Sequence, residues 1–377
     1  MVDINKVAFL VNSLSGGGAE RVIQTLSNSL VGKGFDIYLI LLDDEDIRYD
    51  LDDRVKVLRL KTSFLSKGPL KILILPFQAA ELSVVLRRID VKNVISFLVR
   101  SNFVSVISGI FSNRKVVISE RNYSKLQYNS KGFKGFVMNS LIKFLYKRAD
   151  LILPISHGIE CSLISDYGLD SRKIKVIHNP QDLKAIKELS VQSGNDDFFI
   201  KNNGFFYVTV GRLVDQKDHV TLINAFKRVQ EVRSDAKLII IGDGSLKSYL
   251  KDSVDKLKLK DHVFFLGFVN NPFFYLNNSD VFVFSSKFEG FGNVLVEAMA
   301  CGLPVISTDC LSGPSEILRD GEYGILVEVG NVNEMSNSML SLLDNKKYDY
   351  YRGKSLARSL DFDVDIVELK YLSVFEN

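Results

Sequence analysis

Residues 281–318 read VFVFSSKFEGFGNVLVEAMACGLPVISTDCLSGPSEIL, and how this stretch is read decides the fold. Val281 to Phe284 is a short apolar run suited to a buried parallel strand. Gly290 and Gly292 then let the backbone turn sharply and approach a ligand with no side chain in the way. From Asn293 the pattern turns helical, with Val294, Val296, Ala298 and Met299 interleaved around Glu297 and Gly302 as the stop. Leu303 to Ser307 restarts a strand, with Pro304 tolerated near its beginning. The glycine loop therefore lies at the carboxyl end of a parallel strand and opens onto a helix N-terminus. Open α/β sheets bind ligands at that place, and the helix end favours anions.

Glu289 and Glu297 flank the loop. A carboxylate is a bidentate acceptor, suited to paired sugar hydroxyls, while the amides of Gly290, Phe291, Gly292 and Asn293 suit oxygens of a phosphate or hexose. Two glutamates by themselves read as a solvated loop residue and an exposed helix residue; the glycines and the strand-loop-helix setting shift the reading to a site. The run EGFGNVLVEAMACGLPV (289–305) resembles the E-x7-E segment of family-four glycosyltransferases, retaining enzymes of the GT-B fold. That resemblance implies that Glu289 approaches the donor sugar and that Glu297 holds the ribose hydroxyls of the nucleotide.

Two further strand-loop-helix units fit the same frame. Phe205 to Val210 is a strand, and Arg212 and Lys217 bracket the turn that follows it. Alone, such a pair is solvated surface, but two cations at a strand's carboxyl end can neutralise a diphosphate, the arginine as a fork and the lysine as a point charge. The wording GRLVDQK (211–217) resembles the family's second signature, whose Arg and Lys bind the donor phosphates. Near the start, Lys6 to Asn12 reads as a strand, Ser15 to Gly18 as a glycine loop and Ala19 to Leu30 as an amphipathic helix. A dinucleotide fingerprint fails there, because Arg21 stands where the third glycine belongs. GGGAERV (16–22) resembles the family's N-terminal glycine loop, which implies that Gly17 and Gly18 lie beside the diphosphate; the alternative is a plain tight turn. Gly267-Phe268-Val269 follows another strand, where relatives contact the nucleobase through backbone atoms, so Val269 joins the donor set by resemblance.

Val116 to Ser119 reads as a strand ending in Glu120-Arg121-Asn122. Glu120, at a place where related transferases often carry a histidine, is a candidate for substrate positioning beside Glu289, Arg212 and Lys217; a structural loop is the alternative. Pro69 to Ile89 reads as a helix interrupted or restarted at Pro76, Ile174 to Ile177 as a closing strand, and residues 184–203 as a linker. Within Lys125 to Arg148, Val137, Met138, Leu141, Ile142, Phe144 and Leu145 share one helical arc opposite Asn139, Ser140, Lys143 and Lys147. Lys125, Lys131 and Lys134 precede this helix in a loop containing Tyr123, Tyr128, Phe133 and Phe136. An aromatic, basic loop leading into a cationic amphipathic helix suits an anionic membrane surface, and internal packing of the apolar arc is the alternative.

Composition bounds the rest. A chain of 377 residues favours two domains, and 46% hydrophobic with 25% charged residues is an ordinary globular balance. Its three cysteines are widely spaced, which argues against a disulfide framework or zinc pattern and, with no signal-peptide pattern, for a reducing cytoplasmic setting. The longest apolar run, Ile72 to Phe77, is too short to span a bilayer. The net charge of +3 hides an asymmetry, with 19 basic against 3 acidic residues in 54–148. A block so lopsided suggests an anionic partner.

These readings give an α/β protein of GT-B type, with two Rossmann-like doubly wound domains facing across a cleft. Residues 1–183 form the acceptor half, 184–349 the nucleotide-sugar half, and the tail from about 350 packs back on the first. The resemblance implies retaining transfer of a hexosyl or N-acetylhexosaminyl unit, with a UDP-sugar as the favoured donor. The acceptor implied is a polyprenyl-diphosphate-linked saccharide at the inner membrane face, as in surface polysaccharide or lipopolysaccharide assembly. Two cations at the phosphates make a metal or other cofactor unnecessary, and no nucleic-acid partner is expected. An NDP-sugar epimerase of the same fold, an NAD-binding oxidoreductase and a nucleic-acid binder are the rival readings.

Overall fold

A computed structural model of the chain describes residues 6–65, 73–110, 112, 114–127, 133–192 and 196–375. The chain divides into two compact units, residues 1–180 with 364–377, and residues 181–363. Each is a six-stranded parallel sheet alternating with helices.

The first sheet comprises β1 (Lys6–Val11), β2 (Asp36–Leu41), β3 (Lys56–Arg59), β4 (Asn93–Phe97), β5 (Val117–Glu120) and β6 (Leu151–Pro154), in the order β3-β2-β1-β4-β5-β6. The second comprises β7 (Phe205–Val210), β8 (Ala236–Ile241), β9 (Val263–Gly267), β10 (Val281–Phe284), β11 (Val305–Thr308) and β12 (Ile325–Val327). Its order, β12-β11-β10-β7-β8-β9, is the same doubly wound arrangement seen from the other end. Near-continuous apolar strands such as FFYVTV, AKLIII and VFVF are buried on both faces, as parallel strands with helical cover require. In each sheet the winding reverses once, between β1 and β4 and between β7 and β10, and the loops at those reversals frame ligand sites in such folds.

Several local expectations change. Of the two readings of Pro76 the helix start holds: it sits in the first turn of the helix Leu75–Arg88, where its missing N–H costs nothing, and residues 69–72 lie outside the described residues. Ile174 to Ile177 is no strand: Lys175 and Ile177 donate to Ile152 and Pro154, edging β6 without extending the sheet beyond one bridge. Residues 184–203 are not an unstructured linker, since they contain most of the helix Leu183–Ser190 and all of Asp196–Asn202. The ring of Phe198, on the second of these, meets Phe206 of β7 and Phe264 of β9 edge-on or tilted.

The tail does not leave the second unit at about 350. The helix Asn345–Ser359 stays with that unit, where Arg358 donates to the Glu316 and Ile317 carbonyls at 2.8 Å. The helix Val364–Leu372 rejoins the first unit, packing on the helix Gly18–Gly32, with Glu368 buried and bonded to Ser29 and Lys33. The apolar arc is split, with Met138, Ile142 and Leu145 buried, Val137 and Leu141 half-buried and Phe144 facing solvent; the helix already begins at Phe133, so Phe136, expected in the loop, lies on it and is exposed. Lys125 is held by Asp166. Tyr128 and Lys131 lie outside the described residues, as do the side chains of Phe133 and Lys134. No described helix is long and apolar enough to cross a membrane.

Candidate active site

At the reversal of the second sheet, the loops after β7 and β10 are stitched together. Ser285 donates to the Lys217 carbonyl at 2.8 Å, Gln216 donates to that of Phe288 at 2.8 Å, and the Lys287 N–H donates to Gln216 at 2.8 Å. Lys287 reaches Asp215 at 2.6 Å from the outside. Within this frame the Lys217 ammonium sits 2.6 Å from a Glu289 oxygen, both largely buried, and 5.0 Å from the centre of the Phe284 ring. A Lys seven residues after β7 and a Glu five residues after β10 thus form an ion pair across the reversal.

Arg212 is exposed, with no carboxylate partner among the described residues. The buried His219 supports it from below by donating from Nε2 to the Arg212 carbonyl at 3.3 Å. Burial holds the His219 pKa down at about 4, so the ring is neutral near pH 7. Asp218, at φ +45°, caps the helix His219–Val232 through the Thr221 N–H and hydroxyl. The chain closes tightly behind: Gly242, at φ +140°, leaves no room for a Cβ, which would lie 2.0 Å from the Gly211 carbonyl oxygen.

The helix Asn293–Ala300 starts at Gly292, at φ +104°, a residue with no side chain to cap it, and a helix N-terminus favours an anion. Behind Gly290 to Gly292 lies Gly313, where a Cβ would strike the Phe291 carbonyl oxygen at 1.9 Å. Phe291 is buried against Phe362, and Asn293 is half-buried on the first turn. Glu297 is buried, not exposed as a helix-surface glutamate would be. Cys310, whose thiol burial and the nearby Glu289 push up to about 12, stays protonated. Val269 is half-buried after β9, and its neighbour Phe268 is exposed. Arg212, Lys217, Glu289 and the Gly292 helix start thus lie at the carboxyl edge of the second sheet.

The first unit treats its glycine loop differently. The Gly17 N–H donates to the Tyr49 hydroxyl at 2.8 Å, and that hydroxyl donates back to the Gly17 carbonyl at 2.7 Å. The Gly16 N–H donates to Glu20 at 2.6 Å, and Ser13 donates to the other Glu20 oxygen at 3.3 Å. Burial raises the Glu20 pKa, with the Gly16 and Ser13 bonds opposing. Gly18 begins the helix behind this bonded loop.

Glu120 is buried completely. Tyr146 donates to it at 2.5 Å and Ser124 at 3.0 Å, and desolvation raises its pKa. Beside it the buried Arg121 donates to Asn179 at 2.6 Å and to Tyr371 of the returning helix at 3.2 Å. Glu120 thus has no exposed surface, its carboxylate taken up by Tyr146 and Ser124.

Sequence reading missed Tyr49, Glu20, Gln216 and His219. Glu20 had a signal, an acid in a first helical turn four residues after a glycine. Tyr49 had none, being 32 residues from its partner.

Family models for "Glycosyl transferases group 1" and "Glycosyltransferase Family 4" match residues 195–355 and 16–185. A Campylobacter jejuni protein is 36% identical over 98% of this chain and 100% of its own length. It is named N-acetylgalactosamine-N,N'-diacetylbacillosaminyl-diphospho-undecaprenol 4-alpha-N-acetylgalactosaminyltransferase. A glycosyltransferase from Rickettsia africae superposes with a TM-score of 0.82 at 17% identity, covering 98% of this chain and 97% of its own. Anabaena Alr3699/HepE in complex with UDP does so with 0.79 at 21% identity, over 98% and 99% of the two chains.

Proposed function

Because this chain belongs to the group 1 glycosyltransferases, we propose that it moves a hexosyl or N-acetylhexosaminyl unit from a nucleotide sugar to a lipid-linked saccharide. In this reading the donor is UDP-linked and the acceptor is a hydroxyl of a polyprenyl-diphosphate-linked glycan. Configuration is retained, no metal takes part, and the protein acts peripherally at the inner face of the cell membrane. The curated relative's name supports the acceptor class, since that protein acts on a diphospho-undecaprenol saccharide.

The observation that carries the donor half is the 2.6 Å Lys217–Glu289 pair across the β7/β10 reversal, with the exposed Arg212 beside it. As the glycosidic bond breaks, negative charge grows on the leaving diphosphate. Arg212 meets it as a planar fork and Lys217 as a point charge already oriented by Glu289. The same carboxylate accepts a hydroxyl hydrogen bond from the sugar, and Glu297 takes the ribose. Because these groups are fixed before the substrate arrives, little reorganisation is needed during reaction.

A thermal-shift panel of UDP-, GDP- and ADP-sugars, followed by product analysis with lipid extracts, tests this. A UDP-sugar at 100 times its Kd stabilises the protein by about 2.7 kcal/mol, and label then appears in the lipid fraction. Stabilisation by no nucleotide sugar would remove the donor assignment. Release of free nucleotide without acceptor would move the chain to the epimerases.

A further inference from the structure

The helices Leu75–Arg88, Val99–Ile110 and Phe133–Tyr146 connect β3 to β4, β4 to β5 and β5 to β6. All three crossovers run the same way along the sheet, so right-handed connection puts them on one face. The helix Gly18–Gly32 connects β1 to β2 in the opposite direction and takes the other face, where the returning helix Val364–Leu372 covers it. Within the three-helix layer the middle helix is nearly all buried, tied to its flanks by the 2.7 Å Ser83–Ser108 bond and the edge-on Phe103–Tyr146 contact.

The outward stripes of the two flanking helices match in composition. On the first, Phe77, Ala80, Val84, Arg87 and Arg88 are exposed, with Phe77 at 68% and Val84 at 64%. On the second, Phe136, Ser140, Lys143, Phe144, Lys147 and Arg148 are exposed, with Phe136 at 71%. Apolar groups of this size normally turn inward, and here they alternate with cations. Carboxylates are scarce around them: no Asp or Glu occurs from Arg121 to Ala149, and Glu81 is engaged by the Lys61 and Thr62 amides. The segment after β6 meets the third helix and its end through groups other than the side chains of this stripe: Tyr167 donates to Asn139 at 2.6 Å and Lys173 to the Ala149 carbonyl at 3.1 Å.

We propose that the outer face of this three-helix layer is the surface by which the protein docks on an anionic lipid bilayer. Phe77, Val84, Phe136 and Phe144 enter the headgroup boundary, while Arg87, Arg88, Lys143 and Lys147 meet lipid phosphates. The apolar groups supply burial and the cations supply attraction, the two signals that reversible anchoring requires. The inference rests on the lipid-linked acceptor reading and names the contact that brings the protein to such an acceptor.

The test uses the full chain with vesicles of phosphatidylcholine alone or mixed with phosphatidylglycerol, read by co-sedimentation at low and high salt. Wild type binds the mixed vesicles, and binding falls with salt. The double variant Arg87→Glu, Arg88→Glu weakens binding about tenfold or more, since each cation near an anionic surface is worth roughly a fivefold change. The pair Phe77→Ser, Phe136→Ser weakens it even at low salt. Both variants keep the wild-type thermal shift with nucleotide sugar, which separates loss of docking from loss of fold or donor binding. Wild-type partitioning in both variants overturns the proposal. So does a wild type that ignores vesicles and self-associates through this face. Retained docking with no nucleotide-sugar response would instead overturn the function and leave the surface standing.

Discussion

The chain folds one strand order twice, and the two sheets treat the same topological place in opposite ways. At the β1/β4 reversal the glycine loop is closed by its own side chains, with Tyr49 bonded to both polar groups of Gly17 and Glu20 to the Gly16 amide. At the β7/β10 reversal the loops are stitched from behind, which leaves Arg212 exposed and holds Lys217 against Glu289. A shared fold therefore does not fix which half carries a charge-binding edge; the side chains after the strands do. The second half has cations arranged before a ligand arrives, whereas the first has a fixed backbone shape.

The largest break in this contrast comes from removing the second half's cations. Arg212→Ala or Lys217→Ala is expected to lower turnover by roughly 10²–10³-fold in initial-rate assays at saturating donor. Arg212 is exposed, so its loss leaves the melting temperature near wild type. Loss of Lys217 leaves Glu289 buried and unpaired, so that variant also melts lower. Full activity in either variant would transfer the phosphate role elsewhere.

Acid distinguishes the halves next. His219, with a pKa near 4 when folded, must take up its proton on unfolding once the pH is below its ordinary value. Its contribution is present above about pH 6.5 and is lost as the pH falls toward 4, by about 3 kcal/mol. Glu20 and Glu120, raised by burial, work the other way, their folded forms gaining relative stability as the pH falls through their raised pKa values. Denaturant midpoints between pH 7.5 and 4.5 should decline less steeply in His219→Gln than in the wild type. Identical slopes would place the acid sensitivity elsewhere.

A smaller effect belongs to Glu297. Its truncation is expected to raise the donor KM by about tenfold to a hundredfold, the worth of hydrogen bonds to a charged group, while kcat falls less. An unchanged KM would count against ribose binding.

What could be read from the sequence follows the range of the interactions. Strand-loop-helix alternation and the glycines at strand ends are local, so the two α/β halves could be read from pattern and spacing, while Arg212, Lys217, Glu289 and Glu297 stood out through the resemblance of their segments to the family's signatures. Pairings across loops could not: Lys217 and Glu289 are 72 residues apart, and nothing near either names the other. Glu120 is legible as a polar residue ending β5, but its burial depends on Tyr146 arriving from a helix 26 residues on. The apolar arc within Lys125 to Arg148 was read as one face. Packing on the middle helix takes Met138, Ile142 and Leu145 inward and leaves Phe144 out.

The sharpest test of the contrast is also the smallest in size. If the first half works by shape, then Tyr49→Phe, which keeps the ring and deletes the hydroxyl, frees the Gly17 N–H, while the Gly17 carbonyl keeps its bond from the Arg21 N–H at 3.0 Å. The loop is partly exposed, so water replaces those bonds and stability should fall by only about 1 kcal/mol. The loop would nevertheless lose the extended backbone that sets where the Gly18 helix begins, at φ −176° and ψ 163° for Gly17. A loop that only shapes the site should then lower kcat several-fold, with nucleoside diphosphate affinity nearly unchanged. A loop whose amides bind the diphosphate should respond in the opposite sense, because Gly17 has been released to the ligand and affinity should rise. Isothermal titration of UDP with the wild type and the variant separates the two, and tighter binding in Tyr49→Phe would show that the first half's closure competes with the ligand.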